Sequence, residues 1–375
     1  MKLYYIINAR IPTEKAHGIQ VMKMCEAFAR AGSDVTLVVP GRRNNIEADP
    51  FSYYGVEKNF SIKYLPVIDL FGWSIPFVFP ILTITFAFAV RLFLLRERGE
   101  AILYTRGETP FFLTPFLPKR FKLFWETHIR PHNIKWYRKI LVRSSGVIVV
   151  TTYYQKELIT KYNVPSSKIL YAADGVDMDM FDIDITKEEA RTKLSLPLSK
   201  RILVSTSSSV EWKGVPILES ITGQLPSEFE AVFVGIEKEG KEMADGARTS
   251  YVGKRPYTEI PLWLKAADAL LLPGDPGSLI ATRYTSPLKL FEYMASKRPI
   301  IAFDLPSFRD ILNERNAFFI DPSNEKKATS DICRHLGNKK EMEEKARRAF
   351  DDVAEYMWSY RAENVLSFIN KQTQK

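Results

Sequence analysis

At 375 residues the chain is long enough for two domains of ordinary size, each with its own core. Its 46% hydrophobic and 26% charged residues exclude a disordered chain and a polytopic membrane protein. The net charge of +9 is uneven: residues 1–175 hold 24 Lys and Arg against 13 Asp and Glu, a surplus of +11, and the remainder is close to neutral.

The N-terminal run Met1 to Asn8 is too short for a signal peptide and reads as a first strand. Short apolar runs then recur at Lys2–Asn8, Asp34–Val39, Ala101–Thr105, Lys122–Glu126, Gly146–Thr151 and Lys168–Ala172. A second series follows at Arg201–Thr206, Glu230–Gly235, Asp268–Pro273, Pro299–Phe303 and Phe318–Asp321. Helical segments such as Ile19–Ala31 and Ser307–Leu312 lie between them, and one long helix is expected over Glu341–Asn370. Strands alternating with helices make parallel sheets covered on both faces. Two series imply an α/β protein of two Rossmann-like domains facing each other across a cleft. The turn-rich stretch from Asp174 to Ser199 is the expected junction, which gives domains 1–178 and 179–350 and a C-terminal helix, 351–375. Cys25 and Cys333 are far apart and lack metal-ligand spacing, so no disulfide framework is expected, in keeping with a reducing cytosol.

Phe71 to Leu95 is strongly apolar, without a charge until Arg91. Pro76 and Pro80 argue against an unbroken span, and a helix starting near Pro80 is expected to be too short to cross. Two readings remain. Either its aromatic front (Phe71, Trp73, Phe77, Phe79) dips into an anionic membrane surface beside Arg91, Arg96 and Arg98, or the helix is wholly buried. No nucleic-acid motif accompanies the basic half, so an anionic membrane is the expected partner and nucleic acid is not.

Ligands of open parallel sheets sit beyond the carboxyl ends of the strands. There the sequence gathers Asn8-Ala-Arg10 with His17-Gly18, Arg106-Gly107, His128 and Arg130, and Ser207-Ser-Ser209 with Lys213-Gly214. Tyr284-Thr-Ser-Pro-Leu-Lys-Leu-Phe-Glu292 leads through Pro287 into an apolar helix. Its N-terminus suits a phosphate, with Ser286 as a donor. Glu292 stands one to two turns in, where a carboxylate accepts hydrogen bonds from a sugar diol.

This segment resembles the nucleotide-sugar site of retaining glycosyltransferases of family 4, which have the GT-B fold. His17-Gly18, Glu126-x-His128, Gly175-Val-Asp177 and Trp212-Lys-Gly214 follow in family order. The resemblance implies a glycosyltransferase moving a hexose or N-acetylhexosamine from a UDP- or GDP-linked donor to a glycan or lipid-linked glycan. It implies an enzyme of cell-envelope polysaccharide biosynthesis whose last helix crosses back to the first domain; the basic first half, its aromatic stretch and the Arg91, Arg96 and Arg98 cluster give the expectation of a cytoplasmic protein peripheral on the inner membrane face. Lys213, Arg283, Ser286, Pro287, Leu288, Lys289 and Glu292 would hold the nucleotide, and Tyr284 and Ser278 the donor sugar. His17, Gly18 and Arg106 would face the acceptor. His128, Lys213 and Glu292 would serve the transfer. No carboxylate is placed as a covalent nucleophile, so the family's front-face retaining mechanism is expected. Two departures stand out. Ser208 occupies the position of a usual phosphate arginine, and Tyr284 replaces the first glutamate of the family's Glu-x7-Glu pattern.

Asp177-x-Asp179 and Asp182-x-Asp184 could hold a divalent metal. They fall in the junction, and Lys213 with a helix terminus already meets the diphosphate, so no metal or other cofactor is expected. A NAD oxidoreductase is disfavoured, because no Gly-x-Gly-x-x-Gly follows the first strand. A nucleotide-sugar 2-epimerase of the same fold and an inactive partner subunit are the remaining alternatives.

Overall fold

The computed structural model describes residues 1–70, 78–107, 118–128, 134–208, 210–238 and 248–374. The expectations for Phe71, Trp73, Phe77, Arg130 and Ser209 lie outside these residues. The chain divides into two compact units, 1–173 with 358–375, and 174–357.

The first unit holds a seven-stranded parallel sheet of β1 (Lys2–Ile6), β2 (Asp34–Gly41), β3 (Ser61–Pro66), β4 (Ala101–Thr105), β5 (Phe121–Thr127), β6 (Gly146–Val149) and β7 (Ile169–Tyr171). Their order is β3-β2-β1-β4-β5-β6-β7. The central strands are apolar on both faces because helices cover both; every residue of β4 is buried. The second unit repeats the plan with β8 (Arg201–Thr206), β9 (Phe229–Val234), β10 (Thr249–Gly253), β11 (Ala269–Leu272), β12 (Ile300–Phe303) and β13 (Phe318–Ile320). Here the order is β10-β9-β8-β11-β12-β13. The order in which parallel strands are added reverses between β1 and β4 in one unit and between β8 and β11 in the other. Those are the points where such sheets open a crevice.

Four expectations need correction. β3 and β10 were not foreseen; both are edge strands, and β3 is largely exposed, so neither carries a continuous apolar run. The segment Ser307–Leu312 forms only the short helix Pro306–Arg309. The C-terminal helix is two, Lys339–Val353 and Trp358–Thr373. The chain breaks between them because Met357 turns extended and bridges Val176, whose amide donates to the Tyr356 carbonyl at 3.0 Å.

The fourth concerns the apolar stretch. Its helix runs Val78–Arg96, 19 residues, and passes straight through Arg91. It is therefore long and apolar enough to cross a membrane by length and composition, with a third of its best window buried. Pro80 falls in its first turn, where no intrahelical hydrogen bond is lost. Leu82, Phe86, Val90 and Leu94 recur every fourth residue and pack into the first unit. Thr83 Oγ1 accepts from Asn8 Nδ2 at 3.0 Å, tying the helix to the loop after β1.

The final helix, Trp358–Thr373, packs on the helix Ala16–Arg30 in the first unit. Phe368 meets Phe124 edge-to-face at 6.1 Å. At Gly146 a Cβ would come within 2.6 Å of the Phe368 ring, so the strand start must be glycine for the helix to seat.

Candidate functional site

Each unit gathers polar groups at its own crevice. In the first, the carboxyl end of β5 delivers Glu126 into the interior and His128 to the surface side. Glu126 is completely buried and receives four donors. Gln20 Nε2 reaches Oε1 at 2.7 Å and His128 Nε2 reaches it at 2.5 Å. The Tyr104 hydroxyl donates to Oε2, and Arg361 Nη2 lies 3.1 Å from the same oxygen. Burial alone would raise the Glu126 pKa. The Arg361 guanidinium, with His128, outweighs it and holds the carboxyl well below its ordinary range. A carboxylate can only accept, so His128 turns Nε2–H toward Glu126. Arg106, just past β4, donates through Nη1 to Gln20 Oε1 at 3.1 Å and so joins the same network.

His17 lies in the first turn of the helix Ala16–Arg30. Burial, reinforced by Arg106, lowers its pKa to about 4, so it is a neutral imidazole at physiological pH. Gly18 is a packing position, since the Tyr54 hydroxyl occupies the space a Cβ would need. His17, Arg106 and His128 line one cavity of about 990 Å³, whose opposite wall is the helix Val78–Arg96.

In the second unit the turn after β8 carries Glu211–Lys213 and Gly214. Gly214 has φ +67°, and a Cβ there would lie 2.5 Å from the Gly274 carbonyl carbon. The Asp275 amide donates to the Trp212 carbonyl at 3.0 Å, so the two loops at the switch between β8 and β11 are locked together. Lys213 Nζ donates to Ser208 Oγ at 2.7 Å, the position at which the family pattern would have an arginine. The helix Leu288–Ala295 begins directly after Pro287, which stands at the cap, one position before the first turn where it was expected. Ser286 Oγ accepts from the Asp174 amide at 3.2 Å and keeps its own proton for another partner.

Glu292 is buried on this helix, and burial raises its pKa to about 7. Tyr257, in the turn after β10, hydrogen-bonds to it, and Lys289 and Lys213 attract its charged form. Burial, then repulsion from Lys213, lowers Lys289 to about 7, and burial also lowers Lys213. The structure thus brings Lys213, Lys289 and Glu292 together. The second cation of the cluster is Lys289; Arg283 is exposed on the turn Ile280–Tyr284, whose last residue, Tyr284, is buried. Ser278 lies two residues before that turn, its carbonyl accepting from the Thr282 amide at 3.0 Å. Asp177 caps the helix Met178–Phe181, and Asp182 pairs with Lys297 at 2.6 Å. Gln20, Tyr104, Tyr257 and Arg361 were not singled out from sequence; each reaches its site through tertiary placement that no local motif encodes.

A family model described as Glycosyltransferase Family 4 matches residues 18–180, and one described as Glycosyl transferases group 1 matches residues 200–338. The chain belongs to this glycosyltransferase family. Solved structures agree on its GT-B fold. Sucrose-phosphate synthase of Thermosynechococcus elongatus superposes with a TM-score of 0.77 at 17% identity, covering 100% of both chains. HepE of Anabaena, solved in complex with UDP, gives 0.72 at 13% identity over 99% of this chain and 100% of that one. Among curated proteins, TuaC of Bacillus subtilis (strain 168), named as a teichuronic acid biosynthesis glycosyltransferase, is 24% identical over 216 residues. That match takes in 56% of this glycosyltransferase-family chain and spans about half, 52%, of the relative.

Proposed function

We propose that the protein is a retaining, metal-independent glycosyltransferase. It moves a hexose or N-acetylhexosamine from a UDP- or GDP-linked donor to a glycan or lipid-linked glycan, in the cytoplasm at the inner membrane face. The observation that carries this reading is the cluster of half-buried Lys213 and Lys289 with buried Glu292 at the switch point of the second sheet. A nucleoside diphosphate offers what each group lacks. Its phosphates restore full protonation to two lysines whose charge burial disfavours. Its ribose hydroxyls donate to a carboxylate that burial otherwise holds half-protonated near neutral pH. The Leu288 and Lys289 amides, which open the helix, add donors for phosphate oxygen. A relative solved with UDP-glucose supports the donor class.

As the glycosidic bond breaks, charge grows on the leaving diphosphate, and Lys213 and Lys289 stabilise it more than they stabilise the intact donor. His128, held by Glu126 at the carboxyl end of β5, would position the reacting sugar. With two cations and a helix terminus meeting the diphosphate, the chemistry needs no divalent ion. Calorimetric titration with UDP, GDP and their sugar conjugates, with and without chelator, tests the reading. Binding of one nucleoside diphosphate that Glu292→Ala weakens is expected; binding of none sinks the proposal.

A further inference from the structure

The second unit holds another cavity, of about 490 Å³, at the opposite end of its sheet from the switch point. Arg201 opens β8, Asp268 directly precedes β11 and Pro299 directly precedes β12, so this cavity lies at the amino ends of the strands. The turn with Lys213 follows the carboxyl end of β8. Lys297 and Arg298, which also line the cavity, join the helix Leu288–Ala295 to β12. The cavity and the nucleotide cluster thus occupy opposite ends of one helix.

Among the described residues that line it, Lys187, Arg201, Lys297, Arg298, Lys339 and Arg347 stand against Asp268 and Glu343 alone. The two acids do not cancel that excess. Asp268 is held by Lys187 at 2.7 Å, by Arg191 at 2.6 Å and by the Ile202 amide at 2.7 Å. Glu343 reaches Lys339 only at 3.8 Å between exposed side chains, a pair that contributes little. Lys297 is drawn to Asp182 at 2.6 Å. Three arginines are left without an acid. Arg201 is fixed by one hydrogen bond, from Nη1 to the Leu336 carbonyl at 3.1 Å. Arg347 is exposed and has no ion pair among the described residues. Arg298 is half-buried, and its shielded Nε has no hydrogen-bond partner there. An arginine drawn this far from water is ordinarily paired, and what Arg298 still offers the cavity is its two Nη groups. The floor is apolar. Met342, Ala346 and Phe350 fall on one face of the helix Lys339–Val353, beside buried Leu336 and Pro299. Lys297 Nζ stands over the Phe350 ring at 4.1 Å.

We propose that this cavity is a second ligand site, which takes an organic phosphomonoester. The phosphate is met by Arg201, Arg298 and Arg347, and a compact, partly apolar body lies on Met342 and Phe350. A volume of this order suits a small molecule. Guanidinium forks grip phosphate oxygens in pairs, and a dianion matches three arginines better than a single carboxylate does. A neutral ring leaves the arginines unmatched, and an inorganic anion leaves the floor uncovered. The site is separate from the donor cluster and does not depend on the transferase reading.

The test is calorimetric titration of the full-length protein at low salt with phenyl phosphate, with inorganic phosphate, benzoate and phenol as controls. Phenyl phosphate is expected to bind at least about tenfold more tightly than any control, because each control lacks part of the recognition. Equal binding of a control overturns the proposal, as does no binding of phenyl phosphate. Arg347→Gln, at an exposed position, should weaken phenyl phosphate by about tenfold with an unchanged thermal melt and unchanged UDP or GDP affinity. Arg298→Gln should do likewise; if it melts early, the Arg347 variant alone decides. Lys213→Ala should leave phenyl phosphate binding intact. Loss in the Lys213 variant with retention in the arginine variants places the anion at the nucleotide cluster and overturns the second site. UDP and GDP are titrated in parallel. A protein that binds a nucleotide and ignores phenyl phosphate keeps the transferase reading and loses this site; the reverse result removes the donor reading and leaves this site standing.

Discussion

Arg361, on the last helix, holds the Glu126 carboxylate at 3.1 Å, and both side chains are almost wholly withdrawn from water. The same guanidinium donates through Nε to the Ala173 carbonyl at 2.7 Å. A pair this deep is a weak source of net stability while intact, because desolvation consumes most of the attraction, but it is costly to break from one side.

Glu126→Gln should therefore destabilise the protein by roughly 3–5 kcal/mol, leaving Arg361 buried without its anion. Adding Arg361→Met should recover much of that loss in chemical denaturation. Independent, additive losses would contradict the coupling. The carboxyl's depressed pKa carries a sign as well: its contribution to stability is present above the ordinary glutamate value and is lost as pH falls below it.

Glu292→Ala should weaken nucleotide affinity roughly ten- to a hundred-fold, the worth of about 1.5–3 kcal/mol for hydrogen bonds to a charged group. Calorimetry reads this directly, and unchanged affinity would remove the ribose assignment.

Nucleotide affinity should peak near neutral pH. Glu292 is raised to about 7, so below that value it is protonated and accepts poorly; Lys289 is lowered to about 7, so above it the ammonium is lost. Each limb should approach roughly a tenfold loss per pH unit, the behaviour of a single proton. The free protein behaves oppositely. From the ordinary glutamate value up to about 7 the native state holds a proton that the unfolded chain releases, and stability from Glu292 declines. From about 7 up to the ordinary lysine value the unfolded chain holds the extra proton, and stability from Lys289 rises. A pH-independent nucleotide affinity would contradict the cluster.

Lys213 and His128 should separate. Lys213→Ala is expected to lower both donor affinity and turnover, because the charge it meets grows in the transition state. His128→Ala should lower kcat with donor binding nearly intact. Transfer at parental rates by both variants would place the chemistry elsewhere.

Gly214→Ala should cost at least about 1–3 kcal/mol, since the residue sits at φ +67° and its new methyl meets the Gly274 backbone, which cannot swing aside as a side chain would. A melting temperature equal to the parent's would show that the loop yields.

The parts legible in the sequence were those written locally. Lys213 with Gly214, and Glu292 on its amphipathic helix, each declare themselves within a few residues, and the buried strands do so through uninterrupted apolar runs. The edge strands β3 and β10 did not, because a strand with one open side needs no such run. Arg283, expected among the nucleotide-holding residues, is exposed, and the helical turn from Lys289 to Glu292 puts Lys289 beside Lys213. The break at Met357 depends on Val176, and the anchoring of His128 on Arg361 and Gln20. Those are agreements between distant segments, on which local pattern is silent.

The return of residues 358–375 to the first unit has a consequence for synthesis. The second unit is one continuous segment and can close as soon as it has left the ribosome. The first, although translated earlier, must wait with the Glu126 pocket short of its guanidinium until the whole of the second unit has been made. A nascent chain stalled before Trp358 would thus present a finished second unit after an unfinished first one, and chaperone dependence should concentrate in the domain that is born first.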